Sequence, residues 1–291
     1  MKINEIKKEF PIFKQKIRGK PLIYLDSANS SQKPKVVIDE ISRFYETEFS
    51  NVGRSVHTLA VKATNKFEET RDLVKSYINA KHREEIIFTK GATEAINLVA
   101  NTYGEKFVKA GDEIIVTELE HHSNYVPWHY LREKKGAVIK FASVKDNGEV
   151  DINEFKKQIS DKTKMIAFTH ISNVTGTIMP VKKIVDLAKT KNIPVLIDGT
   201  QGAPHSILDV QDLDCDFYAI SCHKMYGPNG LGILYAKKKW VDELPPYQGG
   251  GGMISEVKKD EISYADSPTK FEAGTMQTAE VVAFAKSIKF I

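Results

Sequence analysis

The stretch KMIAFTHISNVTGTIMPVKKIVDLAKTKNIPVLIDG, residues 164–199, decides the fold. It opens with the unbroken apolar run KMIAFTHI, continues through the amphipathic segment VKKIVDLAKTKN, and closes with a second apolar run, PVLIDG. Unbroken runs rich in β-branched residues are typical of strands that are buried on both faces of a sheet. The stretch therefore predicts a strand, a helix and a second strand in succession, which is the repeating unit of an α/β protein.

The same alternation extends to both sides of this stretch. The predicted strands are EEIIFTK (84–90), DEIIVTE (112–118), AVIKFASV (137–144), KMIAFTHI (164–171), PVLIDG (194–199), DFYAIS (216–221) and, as the last one, LGILYAK (231–237). The predicted helices are ATEAINLVANTY, SNYVPWHYLREKK, DINEFKKQI and VKKIVDLAKTKN, with two more before the first strand, Lys35–Glu48 and Lys62–Asn79. The pattern predicts an α/β fold whose mostly parallel central sheet is flanked by helices.

The composition is typical of a globular protein and gives no sign of a nucleic-acid or membrane partner. Of the 291 residues, 41% are hydrophobic and 27% are charged, and the net charge of +4 is spread along the chain. No apolar run is long enough to cross a bilayer, and the N-terminus lacks the apolar core of a signal peptide. Two cysteines do not suggest a secreted disulfide scaffold, so we expect a cytoplasmic protein.

Polar and ionisable residues follow the ends of the predicted strands. The groups that follow successive strands are Gly91-Ala92-Thr93, His121-His122, Ser172-Asn173, Asp198 with Gln201, and Cys222-His223-Lys224. In open α/β sheets, ligands bind beyond the carboxyl ends of the strands. The sequence therefore predicts that these residues share one site.

Lys224 and Asp198 suggest a particular cofactor for this site. An unprotonated lysine amine forms a Schiff base with an aldehyde, and a carboxylate at a buried strand end is stabilised by a positively charged ring nitrogen. The pair suits pyridoxal 5'-phosphate (PLP). Thr93, at a strand-to-helix junction, would hold the phosphate together with Ser221 and His223.

Other kinds of site are disfavoured by the motifs. The segment GPNGLG does not have the G-x-G-x-x-G spacing and precedes a strand, which argues against a Rossmann dinucleotide site. A P-loop motif is absent, and the histidines and cysteines lack the spacing of zinc ligands. We therefore predict no metal site.

Nine motifs resemble those of the cysteine desulfurase and selenocysteine lyase family, of the SufS type, within the class V aminotransferases. They are LDSANSSQKP (25–34), SVHTLA (55–60), FTKGATEAINLVA (88–100), ELEHHSNYVPW (118–128), SNVTGTIMPVKKI (172–184), VLIDGTQGAPH (195–205), SCHKMYGPNGLGILY (221–235), PPYQGGGGMI (245–254) and FEAGTMQ (271–277). The resemblance implies PLP fold-type I architecture and a homodimer with shared active sites. It also implies removal of sulfur from L-cysteine to give L-alanine, for iron-sulfur cluster assembly through a sulfur-acceptor protein.

The resemblance also implies roles for individual residues. Lys224, His122 and Asp198 would be catalytic: Lys224 as the Schiff-base lysine, His122 stacked on the ring and moving protons, and Asp198 paired with the pyridine nitrogen. The implied cofactor-binding residues are Ala92, Thr93, His122, Asn173, Asp198, Gln201, Ser221, His223, Lys224 and Thr275, the last reaching the partner subunit's phosphate. Ala28 and Asn173 would lie near the substrate.

The chain departs from the family pattern in several places. In the family, the sulfur-accepting cysteine and the arginine that binds the substrate carboxylate belong to a C-terminal domain, most of which we expect to be missing here. The predicted divisions are an N-terminal arm (1–21), a large PLP-binding domain (22–275) and a helix leading to the absent domain (276–291). Family members tend to have alanine, histidine, glycine, glutamate and proline where this chain has Asn29, Gly53, Cys222, Gly252 and Met276.

Two alternatives stay open at this point. One is a different class V reaction, such as transamination, epimerisation or kynureninase-like cleavage, which would need no acceptor cysteine. The other is a fragment that binds PLP or a partner without turnover, because neither Cys215 nor Cys222 matches the position of the family's nucleophile.

Overall fold

A seven-stranded sheet runs through the middle of the molecule, with helices on both faces. The computed structural model describes residues 3–53, 55–145 and 148–291. The strands are β1 (Lys16–Ile17), β2 (Lys20–Pro21), β3 (Ile86–Thr89), β4 (Glu113–Thr117), β5 (Val138–Ala142), β6 (Thr163–Thr169), β7 (Val195–Asp198), β8 (Phe217–Ser221), β9 (Gly232–Ala236), β10 (Ile254–Val257) and β11 (Ile262–Tyr264). The helices are α1 (Ile3–Lys8), α2 (Lys35–Thr47), α3 (Thr58–Tyr77), α4 (Ala92–Phe107), α5 (Val126–Lys135), α6 (Ile152–Gln158), α7 (Val181–Lys189), α8 (Gly202–His205), α9 (Val210–Leu213), α10 (Lys238–Glu243) and α11 (Thr278–Phe290).

The central sheet is mostly parallel, as the sequence predicts. Its strand order is β3-β9-β8-β7-β6-β4-β5, and the four pairs from β8 to β5 are parallel. Only β9 runs against its neighbours, since it pairs antiparallel with both β3 and β8. The carboxyl ends of β4, β6, β7 and β8 therefore lie along one edge of the sheet.

Side chains of the inner strands enter the two cores alternately. Phe217 and Ala219 of β8 pack on the side that also holds α4, while Tyr218 and Ile220 pack on the side that holds α7 and α11. All five residues of β8 are buried. Burial on both faces explains why these strands are unbroken apolar runs without polar alternation.

The predicted boundaries are shifted at two helices. The structure begins α3 at Thr58 rather than Lys62, because the His57 ring nitrogen Nδ1 accepts a hydrogen bond of 3.3 Å from the Ala60 amide and caps the helix. The segment predicted as one helix from residue 123 begins inside a 3₁₀ turn, His122–Asn124, and α5 begins only at Val126.

Two expectations about strands are wrong. The β5 strand is not buried on both faces, because it lies at the sheet edge with only β4 beside it, and Val138 and Phe141 are exposed. LGILYAK is not the last strand, since β10 and β11 form a later antiparallel hairpin. A second short hairpin, β1 with β2, precedes the central sheet. Short exposed strands such as these lack the apolar run on which the prediction depends.

The two ends of the described chain pack near each other. Val282 and Ala279 of α11 pack against Phe44 of α2 and Ala63 of α3. The ring of Phe10 lies 5.6 Å from that of Phe290. The division of the chain at residues 21 and 275 stays a prediction. Within the described ranges, no helix combines the length and apolar character needed to cross a membrane.

Candidate active site

A cavity of about 200 Å³ lies at the carboxyl ends of the central strands, where the sequence predicts a shared site. Residues from the ends of β6, β7 and β8, from the start of α4, and from the loops after β2 and β4 surround it. The lining residues are Asn29, Ala92, Thr93, His121, Ser123, Thr169, Ile171, Asn173, Asp198, Thr200, Gln201, Ser221, His223 and Lys224.

Asp198 ends β7 and reaches the cavity wall with only 4% of its surface exposed. The Thr200 amide donates a hydrogen bond of 3.0 Å to its Oδ1 atom. Residue 199, which follows Asp198, is glycine because the Tyr218 ring occupies the space in which a side chain would lie. A Cβ atom at position 199 would be 1.8 Å from Tyr218 Cε1. Within the described part of the chain, Asp198 forms no salt bridge, so a cationic partner from a ligand would stabilise it.

Lys224 lies in a 3₁₀ turn, Cys222–Lys224, which follows β8 directly. The side chain is half-buried, and this burial lowers the pKa of Lys224 below its ordinary value, although the charge of Asp198 opposes the shift. A lowered pKa leaves a larger share of the amine unprotonated, which is the form that attacks a carbonyl.

The start of α4 forms the third side of the cavity. The Ala92 amide donates a 2.9 Å hydrogen bond to Ser221 Oγ, so the helix start is tied to the end of β8. This approach requires glycine at position 232, because a Cβ on Gly232 would lie 2.4 Å from the Cα atom of Gly91. The first turn of a 16-residue helix presents backbone N–H groups and a positive dipole end to an anion.

Thr93 and His223 complete this end of the cavity. The Thr93 hydroxyl lies 2.7 Å from the hydroxyl of Ser123. Burial lowers the pKa of His223 to about 4, with smaller contributions from the positive charges of Lys224 and Lys33. His223 is therefore neutral at physiological pH, and it can donate or accept a hydrogen bond without adding charge.

The structure places His121 at the cavity, whereas His122 does not line it. The predicted position of His122 at the site is therefore taken by its neighbour His121. His121 Nδ1 accepts a 3.2 Å hydrogen bond from the Ser123 amide, which orients the ring, while His122 begins the 3₁₀ turn; both residues are exposed. Burial lowers the pKa of His121, against the opposing charge of Asp198.

On the opposite wall, the segment 25–34 closes over Gln201. The Gln201 side-chain amide donates a 2.6 Å hydrogen bond to the Ala28 carbonyl. Asn29 lines the cavity whereas Ala28 does not, so Ala28 contributes its backbone rather than its side chain. Asn173 lines the same cavity, as predicted for a residue after β6.

Thr275 does not lie at this cavity. It is exposed and lines a separate cavity of about 430 Å³ together with Gly53 and Gly252. The segment that carries Thr275 is fixed by the buried Glu272, whose carboxylate accepts hydrogen bonds of 2.8 and 2.9 Å from the guanidinium of Arg71. The structure thus keeps Thr275 apart from the Lys224 cavity of its own chain.

Sequence reasoning gave no role to several residues of the cavity wall, although it placed His121 at the same sheet edge: His121, Ser123, Thr169, Ile171 and Thr200. The adjacency of Thr200 to Asp198 and of Ser123 to the His-His pair was a usable signal. Among the residues that the structure describes, the buried Thr200 hydroxyl has no hydrogen-bond partner. A buried hydroxyl without a partner is costly, so a polar ligand atom beside it would stabilise the site.

Glu120 lies behind the cavity and is half-buried. Its carboxylate accepts a 2.6 Å hydrogen bond from the Asn124 side chain and a 3.0 Å bond from the Thr169 amide. Burial raises the pKa of Glu120 to about 8, and the nearby charge of Asp198 acts in the same direction. The protonated acid therefore predominates at neutral pH, and the wall carries one negative charge instead of two.

Neither cysteine offers a nucleophile at the cavity. Cys215 and Cys222 are each 0% exposed. Burial raises the pKa of both thiols, to about 12 for Cys215. The reactive thiolate form is therefore disfavoured at both positions.

These features fit PLP. An amine, a buried carboxylate without a cation and an anion-binding helix start surround one small cavity, and the Thr200 hydroxyl is left to bind a ligand. The central sheet and this arrangement together define an α/β protein of the PLP fold-type I class.

Comparison with known proteins agrees with this class. The class-V aminotransferase family matches residues 23–291. A cysteine desulfurase from Synechococcus elongatus is 43% identical over 289 residues, which are 99% of this chain and 46% of that relative. A cysteine desulfurase from Pectobacterium atrosepticum is 44% identical over 290 residues, covering 99% of this chain and 71% of the relative.

Solved structures give the same result. A cysteine desulfurase from Thermococcus onnurineus superposes with a TM-score of 0.93 at 35% identity, covering 100% of this chain and 71% of that one. One from Escherichia coli superposes with a TM-score of 0.89 at 34% identity, covering 99% and 71%.

The chain therefore belongs to the class-V aminotransferase family. The relatives and solved structures named above are cysteine desulfurases, and PLP is the cofactor of this family. The chain spans about half the length of the Synechococcus elongatus relative.

Proposed function

We propose that this chain carries the cofactor-binding domain of a PLP-dependent cysteine desulfurase of the SufS type, which removes sulfur from L-cysteine and leaves L-alanine. The observation that carries the proposal is the single cavity shared by Lys224, Asp198 and the start of α4. The named relatives, which are cysteine desulfurases, support this reaction over others of the family. The product sulfur would serve iron-sulfur cluster assembly in the cytoplasm.

The residues of the cavity divide the work of holding the cofactor. When bound, PLP stabilises negative charge that develops at the α-carbon of an amino acid substrate. Lys224 would attach the cofactor through its amine. Asp198 would hold a proton at the ring nitrogen, and Gln201 would face the ring oxygen.

The phosphate would lie at the start of α4. Ala92 and Thr93 form the first turn of that helix, and Ser221 is tied to it by the bond to the Ala92 amide. Neutral His223 would donate a hydrogen bond there. Thr275, which lies away from its own chain's cavity, would reach the phosphate of a partner subunit in a homodimer.

His121 is the residue that we propose for ring stacking and proton movement, in the role first assigned to His122. Its lowered pKa keeps the imidazole neutral, so that it can accept a proton from the substrate amine or the α-carbon. Ala28 and Asn173 would lie beside the substrate, with Asn29 at the cavity mouth.

The sulfur acceptor must be a thiol other than Cys215 or Cys222, because both are buried. In the balanced reaction, the substrate C–S bond breaks and a thiol RSH receives the sulfur as a persulfide RSSH. The substrate β-carbon gains a proton and becomes the methyl group of alanine. In the cell, a sulfur-acceptor protein would take up the sulfur.

The buried cysteines also favour a second candidate. Another class V reaction, such as transamination, needs no thiol. The lysine and the aspartate that such a reaction uses are both present in the cavity. A PLP-binding chain without turnover is the third outcome to be distinguished.

The test is the reaction of PLP-loaded protein with L-cysteine and a dithiol reductant. We expect alanine and sulfide in equal amounts, and a borohydride-stable PLP adduct that Lys224→Ala abolishes and that the exposed-residue control Lys183→Ala retains. Alanine formed from pyruvate and an amino donor, without sulfide, would identify a transaminase. A PLP adduct without either product would identify a non-turnover protein.

A further inference from the structure

The carbonyl of His223, directly before Lys224, is held by three donors from one short segment. The Ser31 amide donates a bond of 3.1 Å, the Ser31 hydroxyl one of 2.9 Å, and the Lys33 ammonium one of 2.7 Å. We call this arrangement of Ser31, Lys33 and the His223 carbonyl the His223 clamp. Its donors lie about 190 residues before the carbonyl in sequence, at separations of 190 for Lys33 and 192 for Ser31.

The clamp extends over the whole turn that carries Lys224. The Ser31 hydroxyl also accepts a 2.8 Å hydrogen bond from the Tyr226 amide. Tyr226 has a left-handed backbone with φ of 60°, a conformation that a bulky side chain disfavours. Strain of this kind persists only where surrounding contacts impose it, and it is concentrated at functional sites. The clamp supplies such contacts on both sides of Lys224.

The charge of Lys33 is costly for the fold. The side chain is half-buried, and its two hydrogen-bond partners are carbonyls, those of Ser31 and His223, each at 2.7 Å. Burial lowers the pKa of Lys33 to about 8, with a small opposing effect of Cys222. In the described residues, no carboxylate forms a salt bridge with Lys33. A methionine would fill the same space without the cost of desolvation.

We propose that Lys33 is a positioning residue for Lys224, which fixes the His223 carbonyl and thereby directs the Lys224 amine into the cavity. The inference rests on the proposed function, in which that amine holds the cofactor. The Lys33 ammonium also helps to keep His223 neutral, because its positive charge lowers the pKa of His223. Cys222 is the other titratable group that interacts with Lys33.

The first test uses the chain without cofactor. Lys33→Met keeps the length of the side chain and removes the charge, Lys33→Arg restores the charge, and Lys183→Met is the control on an exposed helix face. Loss of a charged hydrogen bond predicts that amide exchange of peptide 221–227 accelerates about tenfold in Lys33→Met. We expect Lys33→Arg to restore most of the protection and Lys183→Met to leave it unchanged. Uniform acceleration of all peptides, or none, would overturn the proposal.

The second test follows the linkage of PLP to the chain. The rate at which a borohydride-stable adduct forms should fall about tenfold in Lys33→Met and recover in Lys33→Arg. A wild-type rate in Lys33→Met would overturn the proposal. If Lys33→Met does not fold, Ser31→Ala removes another clamp donor and should accelerate exchange in the same peptide. Failure of the proposed function would appear separately, as a wild-type chain that forms no adduct, and the exchange experiment would still decide the role of Lys33.

Discussion

The two sides of the active-site cleft are built differently. On one side, which we call the cofactor wall, Asp198, Gln201 and Ser221 are each no more than 7% exposed. On the other, which we call the open rim, Asn29 lines the cavity from an exposed turn that also contains Ser27 and Ala28. The wall is formed at strand ends, whereas the rim is a loop outside the central sheet. The difference indicates that the cofactor side of the cleft is the buried side and that the opposite side is open to solvent.

The largest effect is expected when the carboxylate of the cofactor wall is removed, which tests whether the two sides of the cleft differ in function. Asp198→Ala should reduce alanine formation by up to about 1,000-fold, the loss seen when a preorganised electrostatic contact is removed. The matched control is Asp161→Asn, at an exposed loop position. Steady-state assays with saturating PLP provide the measurement. A variant that keeps more than half of the wild-type rate would show that the wall does not depend on Asp198.

Substitutions of the two adjacent histidines test which of them belongs to the cofactor wall. His121→Ala should lower the rate of alanine formation by roughly 100-fold, because it removes a proton-transfer group at the cavity. His122→Ala should have almost no effect, since that residue does not line the cavity. The rate of alanine formation is measured in the same assay for both variants. A larger loss of rate for His122→Ala than for His121→Ala would show that His122, and not His121, has this role.

A further expected effect concerns stability rather than rate, at Glu120 behind the wall. Its folded-state pKa of about 8 lies above its ordinary 4.5, so the folded chain keeps a proton that the unfolded chain has lost. The stability that this provides is complete below pH 4.5 and disappears as the pH rises through 8. The free energy of unfolding should therefore fall over this range, by at most about 1.4 kcal/mol for each pH unit.

Glu120→Gln isolates this contribution, because the histidines with lowered pKa values are still present in the variant. Urea denaturation between pH 5 and 8 should give a curve for wild type that falls relative to that of Glu120→Gln. Two parallel curves would mean that Glu120 is already ionised in the folded chain, and that the wall carries two charges.

The cofactor wall could be predicted from sequence because its residues follow strands. Asp198 ends one unbroken apolar run and Lys224 lies in the turn that follows another, and parallel strands bring such ends to one edge. The sheet itself was predictable for the same reason. The strand β5 was predicted, but its exposed edge position was not, and the two short hairpins outside the central sheet escaped, since strands without two buried faces leave no strong pattern.

The pair His121-His122 shows why the rest could not be predicted. Adjacent residues of one type carry no pattern that tells which one faces the cavity. The choice depends on the 3₁₀ turn and on the bond from the Ser123 amide to His121. The contact from Lys33 to the His223 carbonyl was equally hidden, because it joins residues 190 positions apart.

The aromatic contacts beside the lysine turn have a consequence for biosynthesis. The ring of Tyr226 lies 5.6 Å from that of Phe10 and 5.8 Å from that of Phe290. A ribosome delivers the first of these rings early and the last one after 280 further residues, and contacts so distant in sequence form late. On a nascent chain, the turn that presents Lys224 gains its full support only after Phe290 has emerged. Cofactor attachment would then follow synthesis of residues 10–290 rather than accompany it.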